Sequence, residues 1–143
     1  MALVYRDQGK VFHISPAPGE GINTYILGDA HDGKISTITL CVWAQAGFTG
    51  SMSVLARARN PEAAQPVTPP MPVPPMPFLP IPYVQLNNAG AAVSPPVWSS
   101  APLTGTCIIE IPATGLAIAL DVTAVAGDAW VFWTPVEGQA ITT

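Results

Sequence analysis

The sequence predicts an all-β protein: a single antiparallel β-sandwich domain, jelly-roll-like, over 1–143, with a long proline-rich extended arm over 60–82. Three observations predict it. Apolar and polar residues alternate with period two in several short runs. Clusters of Gly, Asn, Asp and Pro punctuate those runs. Almost no helical period appears. At 143 residues the chain is long enough for one domain with a real core.

Lys10–Ile14 reads as a short strand, stopped by the turn cluster Ser15–Gly21. Asn23–Leu27 is a second, closed by Gly28-Asp29 and His31-Asp32-Gly33. Lys34–Ala46 is the clearest strand of the first half. Ile35, Thr37, Thr39, Cys41 and Trp43 share one face; Ser36, Ile38, Leu40 and Val42 share the other. Gly47–Gly50 reverses the chain into Ser51–Arg59, where Met52, Val54, Ala56 and Ala58 face one way. Asn60-Pro61-Glu62 carries a cap-then-proline signature for a single helical turn. In the second half, Tyr83–Leu86 forms a short strand that stops at Asn87–Gly90. Val97 and Trp98 lie between proline turns, at a sheet edge. Thr106–Ile111 places Cys107, Ile109 and Ile111 opposite Glu110, and Leu116–Val125 alternates in the same way. Ala126–Asp128 then turns into Ala129–Trp133. Trp43, Trp130 and Trp133 are assigned to the core.

Pro66–Pro82 breaks this rhythm: nine of its 17 residues are proline. Proline fixes φ and lacks an amide donor, so the segment is expected as extended chain outside any sheet ladder. Between the prolines stand Met71, Val73, Met76, Phe78, Leu79 and Ile81. A solvated linker carries Ser, Gly or charge instead. These six side chains are therefore the candidate interface residues, an arm docked on a neighbouring subunit; a loop folded back on its own sandwich is the alternative.

Charged residues make up 10% of the chain and apolar residues 49%. So little charge hydrates a whole surface poorly, which points to burial against other subunits. The net charge of −4 is uneven: all five basic residues lie within the first 59 positions, and none follows. Nucleic-acid binding needs clustered cations, so no direct nucleic-acid contact is expected. No membrane partner is expected either, because the longest uncharged stretch, Ala63–Ile109, holds 12 prolines. Met1–Arg6 lacks the apolar core of a leader, which implies synthesis in a cytoplasm with Cys41 and Cys107 as free, buried thiols.

Catalytic and metal signatures are missing, and no cofactor is expected. The chain has no nucleophile elbow, Walker loop or dinucleotide fingerprint. His13 and His31 fall near turns, where surface roles suffice. Cys41, Cys107, His13 and His31 lack the close pairing of zinc ligands. Glu110, Asp121 and Asp128 suit the outward faces of strands better than a sugar cleft. The Pro-x-x-Pro frames Pro69–Pro72 and Pro77–Pro80 lack the flanking basic residue of an adaptor ligand. Trp43 stands two residues from Cys41 on one strand, which is not the immunoglobulin spacing.

The segment Trp43–Ala58, with its Trp, Gly-Phe-Thr-Gly turn and Arg57, resembles a hairpin of small virion β-sandwiches in tailed bacteriophages. Gly115–Val131 is similar to the closing hairpin of the same module. Together they cover fewer than half the residues. Within that class the low charge and apolar arm look most like a capsid decoration, or cement, protein. The resemblance implies a non-enzymatic virion structural protein, made in the host cytoplasm and seated on the outer capsid surface. Its implied partners are the major capsid protein and itself, as dimer or trimer. In that reading the sandwich turns an apolar face to the shell while the arm ties adjacent subunits. The proline arm departs from the common module, which leaves head, neck and tail locations open. The alternative is a receptor- or glycan-binding module of a tail or collar, using Trp98 and Tyr83 as a stacking surface.

Overall fold

The computed structural model describes residues 2–5, 11–16, 22–27, 35–58 and 76–137. Three quarters of these residues are strand, and none is helical. Among the described residues eleven strands form two sheets packed face to face: β1 (Ala2–Tyr5), β2 (Val11–Ile14), β3 (Ile22–Leu27), β4 (Ile35–Ala44), β5 (Thr49–Ala58), β6 (Leu79–Pro80), β7 (Tyr83–Asn88), β8 (Ala91–Ser99), β9 (Cys107–Pro112), β10 (Leu116–Ala126) and β11 (Ala129–Glu137). A five-stranded sheet runs β1-β3-β10-β5-β6, and a six-stranded sheet runs β2-β11-β4-β9-β7-β8. Pairings are antiparallel except β1 with β3. The protein is a β-sandwich.

Alternation decides what fills the space between the sheets. From the five-stranded sheet come Met52, Val54 and Ala56 of β5, and Ile118, Leu120 and Val122 of β10. They meet Ile38, Leu40 and Val42 of β4, Ile109 and Ile111 of β9, and Val131 and Trp133 of β11. Trp133 is 1% exposed, as its core assignment requires. β10 is buried on its other face as well, through Ala117 and Ala119. A strand covered on both sides reads as a continuous apolar run, and Leu116–Leu120 is one.

The two reversals read as hairpins are arches. β4 lies in the six-stranded sheet and β5 in the other; β10 and β11 are divided in the same way. Each pair has a core-facing apolar set, and crossing between sheets lets those sets face each other. The arches are tied together where the Gln45 amide donates to the Asp128 carbonyl at 2.9 Å. Gly127 makes this possible. Its φ is +75°, and a Cβ there would stand 2.7 Å from the backbone of Gly47 and Phe48. Asn87–Gly90, expected only to stop the Tyr83–Leu86 strand, instead carries β7 on to Asn88 and turns it tightly into β8. Ala89 and Gly90 have φ of 54° and 87°, the pair of positive values that a twisted two-residue turn needs.

The proline segment departs from expectation at its C-terminal end. Leu79 and Pro80 do join a ladder, opposite Ala56 and Leu55 of β5, and the Ile81 amide donates to the Val54 carbonyl at 3.2 Å. The reason is position: β6 is an outermost strand, where a residue without an N–H forfeits no inner hydrogen bond. Beyond it the connection from β8 to β9 also reaches β5, through paired backbone bonds between Leu103 and Met52. β8 is longer than Val97 and Trp98 alone suggested, and it takes Pro95 and Pro96 because it too is an edge. The helical turn expected at Asn60–Glu62 lies outside the described residues.

Candidate interaction face

The sequence directs an unusual set of side chains outward from the six-stranded sheet. Cross-strand partners point to the same face, so the pairing register maps it in rows. His13 of β2 stands beside Trp130 of β11, which stands beside Trp43 of β4. In the next row Val11, Phe132, Cys41 and Ile108 adjoin across four strands. A third row runs Thr134, Thr39, Glu110, Val84 and Trp98. Val136 lies opposite Thr37 in a fourth.

Seven of the ten exposed large hydrophobic residues among those described lie in these rows. Scattered apolar side chains need no explanation, but a contiguous patch of this kind does. Trp43 is 59% exposed, and Trp130 and Phe132 are each 39% exposed, which corrects the core assignment of Trp43 and Trp130. The cause is parity. On β4 the inward positions belong to Ile38, Leu40 and Val42, so residue 43 faces out. On β11 Val131 and Trp133 are inward and residue 130 is not.

Charged groups on this face are few. His13 Nε2 lies 2.8 Å from Asp128 Oδ1, and the imidazole leans on the Trp130 ring with centroids 4.7 Å apart. That pair holds the β10–β11 arch to β2. Glu110 is exposed in the third row, whereas Asp121 lies in the other sheet, accepting from Thr24 Oγ1 at 3.2 Å. The acids are therefore not paired. Among the described residues no three of His, Cys, Asp or Glu gather as a metal site would require.

The two thiols have different fates. Cys107 is buried, whereas the expectation of burial fails for Cys41, which is half-exposed in the second row. They lie on neighbouring strands but on opposite faces, since Cys107 pairs with Val42 and Cys41 with Ile108. Both are free. Burial, and then the nearby Cys41, push the Cys107 thiol up from an ordinary value of 9.0 to about 11; a hydrogen bond from the Val42 backbone opposes them.

Of the arm residues, Met71 and Val73 lie outside the described residues. Met76 and Phe78 are half-buried, with the Arg57 guanidinium 4.4 Å from the Phe78 ring centroid. Leu79 is exposed on β6, and Ile81 packs against the core. The stacking surface expected from Trp98 and Tyr83 does not form. Trp98 is 62% exposed, but Tyr83 is 1% exposed and its hydroxyl donates to the Ala101 carbonyl. Tyr83 shares the inward phase of β7 with Gln85, and the two line an open polar cleft of about 150 Å³ with Asn88, Thr104 and Cys107.

Comparison with known proteins finds no matching family model, no matching curated protein and no matching solved structure.

Proposed function

We propose that this chain is a non-enzymatic structural subunit of a virion, a capsid decoration or cement protein made in the host cytoplasm and held on the outer capsid surface. Its partners are the major capsid protein and further copies of itself. One observation carries the reading: a broad, nearly uncharged apolar face on a protein with only 10% charged residues. Such a face is costly in water and suits a subunit that spends its life covered. Of the arm residues, Met71, Val73 and Met76 supply the second contact, the tie to the shell, while Phe78, Leu79 and Ile81 fasten the arm to the sandwich. Proline has already restricted their backbone, so less entropy is lost when they dock.

The test separates anchor from arm. Met71, Val73 and Met76 are replaced together by Ser, leaving Phe78, Leu79 and Ile81 on the sandwich. Circular dichroism of the free protein should not change. Retention on purified particles through a heat challenge should fall at least about ten-fold, the loss expected from roughly 1.4 kcal/mol of contact. Full retention with an intact fold would refute the arm's part in attachment.

Glycan capture is the second reading, favoured by Trp43 and Trp130 standing exposed side by side near Asp128. Saturable quenching of tryptophan fluorescence by hexose oligomers, lost on Trp43→Ala, would support it over cement.

A further inference from the structure

We infer that the outer face of the six-stranded sheet is covered by a second copy of this chain, the two sheets stacking face to face as an isologous dimer. The inference rests on the assembly reading above and names the surface through which that assembly begins.

Charge points to self-contact. Among the described residues this face has no Lys or Arg, and its carboxylates are Glu110 and Asp128, the latter engaged by His13. An acidic partner finds nothing to pair with here, and a basic one finds little. An uncharged apolar face is the natural match, and the chain itself supplies one. Area agrees. Six strands about 4.8 Å apart, averaging roughly seven residues in length at about 3.3 Å per residue, present on the order of 650 Å². A stable complex covers about 800 Å² on each partner. Shape agrees too. Twisted sheets of one hand stack aligned, within about 30° of each other, and two copies have the same twist. The contact then continues the sandwich by the rule that built it, with Trp43, Phe132 and Trp130 as the anchors expected near an interface centre.

Cys41 is a built-in reporter, because it sits between Phe132 and Ile108 in the middle of the face. Cys107 is buried and stays silent toward a bulky maleimide. The full chain is examined by sedimentation across a dilution series, with maleimide labelling of Cys41 at each concentration. A dimer at tens of micromolar is expected, with labelling accelerating at least ten-fold on dilution as monomer appears. Phe132→Glu should give monomer with open Cys41 at all concentrations. The unmodified chain keeps the test valid should that variant fail to fold. A monomer throughout overturns the inference, whether Cys41 is open or is shielded by its own chain. A dimer in which Cys41 labels equally at every dilution overturns it as well. A monomer that still binds particles would leave the arm reading standing, and a dimer that does not bind them would reverse that outcome.

Discussion

The assignment of tryptophans to inner and outer faces makes a quantitative prediction. Trp133 is 1% exposed among core side chains, and Trp43 is 59% exposed. A tryptophan side chain offers on the order of 200 Å². For Trp133 nearly all of it leaves water on folding, worth about 5 kcal/mol at roughly 25 cal/mol per Å². Trp133→Ala also opens a cavity, and losses of about 3–5 kcal/mol are usual for such changes. Trp43 covers only about 80 Å², an upper limit near 2 kcal/mol that falls to about 1.2–1.8 once residual compactness of the unfolded chain is allowed for. Trp43→Thr keeps strand propensity, so lost packing is the main change. Urea unfolding at sub-micromolar concentration, where association does not contribute, reads both variants. Midpoints should fall with the slope unchanged, and the loss for Trp133→Ala should be about three times that for Trp43→Thr. Equal losses would refute the parity argument, since they would mean that the outer face is packed within the single chain.

Two further outcomes follow from the same geometry. Gly127→Ala should cost at least about 2 kcal/mol by thermal or chemical unfolding, because it adds a left-handed backbone penalty to a Cβ contact at 2.7 Å with Gly47 and Phe48. Cys107 should impose an alkaline limit on stability: its folded thiol titrates near 11 against an ordinary 9.0, so the unfolded chain loses its proton first. Stability tied to this thiol is complete below about pH 9 and is lost as pH rises towards 11, on the order of 2–3 kcal/mol in all. Cys107→Ala should flatten that limb of a pH series of unfolding midpoints.

Strands were legible because alternation is local. Thr106–Ile111 and Leu116–Val125 show their inward sets in the sequence alone, and Ile109, Ile111, Ile118, Leu120 and Val122 are fully buried as that pattern requires. The sheet to which a strand belongs is not local. Nothing in the Gly47–Gly50 turn distinguishes a hairpin from an arch, and the outcome depends on which apolar faces must meet across the core. The aromatic face was hidden for a related reason. β4 and β11 carry apolar residues at both parities, so alternation does not say which set is inside. The hydrophobicity of tryptophan by itself favours the core for both Trp43 and Trp130 and carries no parity. A signal was nevertheless present: Trp43 shares its parity with Thr37, Thr39 and Cys41 and opposes Ile38, Leu40 and Val42. Two-sided apolar strands in a sandwich mark either a strand covered on both faces, as β10 is, or a face awaiting a partner.

The proline segment shows how a rule about backbone donors has a boundary. Proline excludes a residue from the interior of a ladder, yet Leu79-Pro80 closes the edge of the five-stranded sheet, with Ile81 packed on the core and Phe78 beneath Arg57. That end of the segment is a fastening. Its attachment to β5 fixes where the segment meets the sandwich, and it does so on the sheet opposite the aromatic face. The two proposed contacts therefore need not compete: a second copy can cover the six-stranded sheet while the segment held at the other sheet's edge engages the shell. A subunit that bridges its neighbours requires such an arrangement, because a single shared surface would force a choice between partners.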